Sequence, residues 1–100
     1  MIIYNITVNI SHEAEKEWLT YMKTRHIPEI LATGVPAECK LLRLLTEIDN
    51  EGATYTTQFS FRSMEDFLAY QTHHQDALVE RHHGLFNGMY VSFRTLLEEA

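Results

Sequence analysis

Cysteine occurs once, proline twice and glycine four times in 100 residues. The lone Cys39 leaves no route to an internal disulfide or a cysteine-rich zinc site, and with so few breakers the elements must be read from periodicity. Basic residues are scarce as well: Lys and Arg number 8 against 14 Asp and Glu, a formal net charge of −6. Such a surface repels phosphate backbones and anionic headgroups, so neither nucleic acid nor a membrane is expected as a partner. No apolar run is long enough to span a bilayer. The opening MIIYNITVNI lacks the basic flank and small-residue cleavage site of a secretory signal, which leads to the expectation of a cytoplasmic protein. Hydrophobic residues at 45% and charged residues at 22% are globular proportions, and the length suits one domain over residues 1–100.

Ile2, Tyr4, Ile6, Val8 and Ile10 recur at every second position, the pattern of a strand with one apolar face. Ser11 supplies a hydroxyl suited to a helix N-cap, and Glu13, Glu15 and Glu17 follow at the positive end of the macrodipole, so a helix is predicted from there to about Thr33. Ala14, Trp18, Met22 and His26 form one i, i+4 line that should face the sheet. Pro28 predicts a kink or a new short turn near Ile27, and Gly34 a C-cap. Residues 38–48 are apolar on both parities, which predicts a strand buried on both sides. Asp49 to Gly52 reads as a turn whose glycine supplies a positive φ, joining that strand in a hairpin to the alternating run Tyr55, Thr57, Phe59, Phe61.

Ser63-Met64-Glu65-Asp66 resembles a capping box and opens a second helix, with Met64, Phe67, Leu68, Gln71, His74, Gln75, Leu78 and His82 on its inward face. After Gly84 and Gly88, the residues Met89, Val91, Phe93, Thr95 and Leu97 alternate as a fourth strand. The order βαββαβ is the ferredoxin-like α+β arrangement, a four-stranded antiparallel sheet with two helices on one face.

The other face of such a sheet reports what it meets. With each apolar parity assigned to the helices, that face carries Asn5, Thr7, Asn9, Thr54, Thr56, Gln58, Ser60, Ser92 and Arg94, with one parity of strand two. It has neither the Lys and Glu of a freely solvated sheet nor the aromatics and basic residues of an RNA-binding one. A small neutral face suits a copy of itself, which predicts a homodimer whose sheets close a partly wet barrel. An open polar face on a monomer is the alternative.

The segments WLTYMKTRHIPEILATG (Trp18 to Gly34) and FNGMYVSFRTLLEE (Phe86 to Glu99), with the βαββαβ order, resemble a small bacterial family of unknown function in the dimeric α/β-barrel superfamily. The resemblance implies a homodimer with two sheets closing a shared barrel. In better-known members, among them antibiotic-biosynthesis monooxygenases, haem-degrading enzymes and stress-responsive barrel proteins, a ligand or haem sits between helices and sheet. Their activities differ, so the resemblance implies a fold and an assembly, not a reaction.

Histidine is the main chemical resource, with 6 in the chain. Of the neighbouring pairs His73-His74 and His82-His83, helical phase turns His74 and His82 inward, beside Gln71 and Gln75. The two helices of this fold run the same way, which brings His26 alongside them. Polar side chains on a buried stripe, left without partners, would cost roughly 1 to 3 kcal/mol each. A partly hydrated pocket removes that cost. The expected site therefore has His26 and His74 as candidate acid and base, with His26 preferred, and Trp18, Met22, Tyr55, Gln71, Gln75 and His82 as ligand-binding residues. The bland reading keeps these as hydrogen-bonded interfacial side chains. No metal site is expected, since His74 and His82 lie about 12 Å apart along a helix rising about 1.5 Å per residue. No cofactor is expected either; the alternative is haem on one axial histidine walled by Trp18 and Met22. Two functions follow: a homodimer binding a small molecule between helices and sheet, acting as a cofactor-independent enzyme if the site is chemical, or a non-catalytic regulatory module acting through its dimer surface.

Overall fold

The computed structural model describes residues 1–46 and 52–100. Strand β1 (Ile2–Ser11) precedes the first helix, β2 (Glu38–Arg43) and β3 (Gly52–Phe61) precede the second, and β4 (Tyr90–Glu98) closes the order. The strands pair antiparallel in the order β2-β3-β1-β4. Tyr4, Val8 and Ile10 of β1 pack with Tyr55, Phe59 and Phe61 of β3 against Trp18, Ile30, Phe67 and Phe86 from both helices, so the helices share one sheet face. The fold is α+β and ferredoxin-like.

Both helices contain a π-turn. The first runs as an α segment Glu15–Tyr21, a π segment Met22–His26 and an α segment Ile27–Ala32; the second as Met64–Tyr70, Gln71–Gln75 and Asp76–Phe86. Near Ile27, where a kink or a new short turn is expected, the first helix widens and a new α segment begins: the Ile27 N–H donates to the Met22 carbonyl, five residues back. Residues spaced by four overshoot a 3.6-residue turn by about 40° at each step. The wider turn takes up that drift, which keeps Ala14, Trp18, Met22, His26 and Ile30 buried along one line.

Three local expectations change. Ser11 does not cap the first helix; it ends β1, its N–H donating to the Met89 carbonyl, and a turn intervenes before the helix, whose N-cap position Ala14 has no side-chain cap. Ser63 does cap the second helix, its hydroxyl accepting from the Asp66 N–H. Gly84 lies inside that helix rather than beyond it, and the positive φ values belong to Gly34 and Gly88 at the two helix ends. Gly52 has no positive φ: it pairs with Ser11, and a Cβ there would sit 2.4 Å from the Ile10 carbonyl oxygen. The turn expected at residues 49–51 lies outside the described residues. Gly52→Ala should therefore cost about 1–3 kcal/mol by urea denaturation, whereas Gly84→Ala, with nothing within 4 Å of its new methyl, should be neutral or stabilising.

The open sheet face differs most from the sequence reading. In β4 the register sets Val91 beside Asn9, Phe93 beside Thr7 and Leu97 beside Ile3. The apolar parity of this strand therefore faces away from the helices, with Val91 71% and Phe93 63% exposed. Ser92 and Arg94 lie on the helix side, beside Val8 and Ile6. Strand β2 is shorter than expected and is not buried on both sides: Leu41 lies on the helix side, while Leu42 and Leu44 are exposed. The open face has a polar middle on β1 and β3, knit by Thr56 Oγ1 donating to Asn5 Oδ1 at 2.6 Å and Asn9 Nδ2 donating to Thr54 Oγ1 at 3.0 Å. Apolar side chains border it on both outer strands.

Candidate functional site

Two histidines, one from each helix, meet above the sheet. His26 ends the π-turn of the first helix and His82 lies in the last segment of the second, their rings 5.3 Å apart. Both line a cavity of about 50 Å³, room for a few water molecules. Its floor is Ile6 and Val8 of β1, Thr57 and Phe59 of β3, and Tyr90, Ser92 and Arg94 of β4; its roof is Met22, His26, Val79 and His82. It lies at the seam between two packed clusters, one around Phe59 and Phe67 and one around Trp18 and Phe86, with Ile6 touching both.

The indole Nε1–H of Trp18 donates to His82 Nε2 at 2.9 Å. That nitrogen must be unprotonated to accept, so His82 is a neutral imidazole carrying its proton on Nδ1. Burial pushes its pKa down to about 4, helped by His83. Burial likewise lowers His26 to about 4, with His82 and Arg81 adding charge repulsion. His26 is 6% exposed, and its Nδ1 has no hydrogen-bond partner among the described groups. The Tyr21 hydroxyl, on a ring 5.6 Å from His26, is buried and unpartnered too. Phe86 and Tyr90 complete an aromatic surround, Tyr90 edge-on to His82 at 4.8 Å. Two neutral imidazoles in such a setting can donate or accept a hydrogen bond without adding charge.

The structure brings together His26, His82, Met22 and, through its hydrogen bond, Trp18. His74 is elsewhere: half-buried, it stacks on Tyr70 at 6.2 Å and does not line the cavity. Gln71 is exposed, and Gln75 is buried with Oε1 unpartnered. Tyr55 packs on Trp18 at 5.2 Å but donates to Glu15 at 2.5 Å, outside the cavity. Glu15 consequently belongs to no freely solvated face: this bond, with His12 and Arg43 nearby, holds its carboxyl below the usual range. Thr57, Tyr90, Ser92 and Arg94 were missed from the sequence. The available signal was β4 itself, whose polar residues share the parity of Tyr90 and Leu96. Cys39 is half-buried, and burial pushes its thiol up to about 12, far from a thiolate.

Among the described residues no three His, Cys, Asp or Glu side chains are grouped to hold a metal ion. Haem does not fit this site: the cavity is far smaller than a macrocycle, and His82 Nε2 is engaged by Trp18. No helix among the described residues is long and apolar enough to cross a membrane.

A model of a family described as a domain of unknown function (DUF4286) matches residues 1–100. The chain belongs to this family. No curated protein matches this DUF4286 chain. Solved structures do, by shape. SnoaB of Streptomyces nogalater, described as a cofactor-independent oxygenase, aligns with TM-score 0.70 at 15% identity over 99% of this chain and 93% of its own. An antibiotic biosynthesis monooxygenase aligns with TM-score 0.71 at 12% identity over 100% and 99%. A dimeric ferredoxin-like protein from an uncultured marine organism aligns with TM-score 0.63 at 13% identity over 99% and 97%. Such alignments show that the DUF4286 chain shares the ferredoxin-like fold, and no more.

Proposed function

We propose that the chain forms a homodimer through its open sheet faces and that each subunit binds a small molecule in the cavity between helices and sheet, with His26 as acid or base if the bound molecule reacts. The observation that carries the reading is the His26 ring: buried, with Nδ1 unpartnered, against a second imidazole that Trp18 holds neutral. A buried polar atom without a partner costs about 1–3 kcal/mol, a cost that a bound group or water offsets. The fold supports the assembly, since a ferredoxin-like neighbour is described as dimeric, and SnoaB is described as working without a cofactor. Chemistry of that kind needs only positioned side chains.

Sedimentation at micromolar concentration should give twice the 11.7 kDa chain mass. Native mass spectrometry of that species, followed by a small-molecule screen read on the His26 and His82 ring resonances, tests the site. A dimer whose rings respond to no compound would favour the non-catalytic module acting through its surface. A monomer would remove the assembly.

A further inference from the structure

Resting on the cavity being a binding site, we propose that its ligand is a small organic carboxylate, the apolar body between helices and sheet and the charge on the guanidinium of Arg94. Among the described residues Arg94 is the one cation in the lining, and no carboxylate lines the cavity with it. Of the other arginines, Arg25 and Arg81 pair with Glu29 and Arg43 with Glu15, and Arg62 lies outside the cavity lining. Arg94 has no ion pair among the described residues; the groups that feel its charge are the neutral hydroxyls of Tyr4, Tyr70 and Tyr90. In a chain of net charge −6, with more acids than bases, a guanidinium without a carboxylate beside a cavity is a conspicuous local exception.

The histidines do not compete for the charge, because the Trp18 bond to His82 Nε2 requires a neutral ring. They act as hydrogen-bond partners, His26 through its unpaired Nδ1. Ile6, Val8, Met22, Phe59 and Val79 supply apolar wall for the rest of the ligand. A planar guanidinium takes a carboxylate through two parallel N–H···O bonds. A phosphate dianion fits less well: among the described residues no second cation and no glycine backbone lines the cavity. The position of Arg94 on the edge strand β4, with its side chain exposed, puts the charge at the mouth and leaves the interior to the uncharged part.

The test uses matched acid and amide probes small enough for this cavity, acetate with acetamide and propionate with propionamide, titrated into the full chain and read on the His26 and His82 ring resonances. Each acid should bind about tenfold or more tightly than its amide, the size expected for a charge-assisted hydrogen bond. In Arg94→Gln the two should bind alike, with the thermal midpoint near that of the unaltered chain; Arg94→Lys should restore only part of the preference. Equal binding of acid and amide to the unaltered chain, or a preference that survives Arg94→Gln, would overturn the carboxylate proposal while leaving the cavity as a site. If no probe of either kind moves the two rings, the site reading and this proposal fall together.

Discussion

Phe93→Lys should convert the proposed dimer into a monomer. Phe93 is 63% exposed on the single chain, in a cross-strand row that runs Leu42, Thr56, Thr7, Phe93. Neighbouring Val91, 71% exposed, extends the apolar border along β4. Burying a phenylalanine side chain is worth roughly 1.5–3 kcal/mol, and a two-fold interface buries it twice. Four strands about 4.8 Å apart and about 20 to 33 Å long present roughly 550 Å² in projection, more once side chains are counted, against the about 800 Å² per partner of a standard interface. Lysine removes the apolar contribution and brings a charge that must be desolvated, so the dissociation constant should rise at least about 100-fold. Thr56→Lys, in the polar middle of the same row, should weaken the dimer as well. Ala77→Lys, exposed on the helix side, should not. Sedimentation equilibrium of the three variants decides the matter: a Phe93→Lys protein that remains dimeric would place the interface elsewhere.

Acid should destabilise the fold well before the carboxylates titrate. His26 and His82 are held near 4, against 6.5 for an unperturbed imidazole. As pH falls through 6.5 the unfolded chain takes up protons that the folded chain refuses, so the unfolded state gains. Stability is therefore full above about pH 6.5, declines between there and about pH 4, and levels off below as far as these two groups are concerned. One pKa unit corresponds to about 1.4 kcal/mol, and allowing for partial solvent screening the combined loss by pH 4.5 should be about 2–4 kcal/mol. Glu15, its carboxyl lowered chiefly by the Tyr55 hydroxyl, contributes stability that is present above 4.5 and lost in a separate, more acidic window. Urea midpoints at pH 7, 5.5 and 4.5, at fixed protein concentration, should trace the loss. His82→Gln should remove roughly half of the slope whatever it does to the absolute midpoint; an unchanged slope would mean that His82 is not the buried neutral group described.

The elements with strong local signals were legible in the sequence. Alternation identified β1 and β3, Ser63 marked a true cap, and the four-residue line from Ala14 to His26 is the buried face of the first helix. The second helix was harder because its π-turn changes phase midway. Buried positions there run Phe67, Tyr70, Gln75, Leu78, His82 and Phe86, with a step of five where a regular helix takes three or four. Constant phase put Met64, Leu68 and Gln71 inside, where they are exposed, and left out Tyr70 and Phe86. The same break separates His74 from His82. In β4 the failure had another cause. Apolar residues were assigned to the helices, but this sheet has apolar surface on both faces, and the helix side of its edge strand borders a cavity that tolerates serine and arginine. Periodicity finds a stripe; it does not say which of two buried surfaces the stripe meets.

The hydrogen bond from Trp18 to His82 has an optical consequence. Trp18 is the only tryptophan in the chain, and it is fully buried. Its indole donates directly to an imidazole in the cavity wall, so its excited state is coupled to that ring. Protonation of the imidazole would break the bond by filling the accepting lone pair. The emission of this one indole is therefore a built-in reporter, registering in a single wavelength the charge state of the wall against which a ligand would rest.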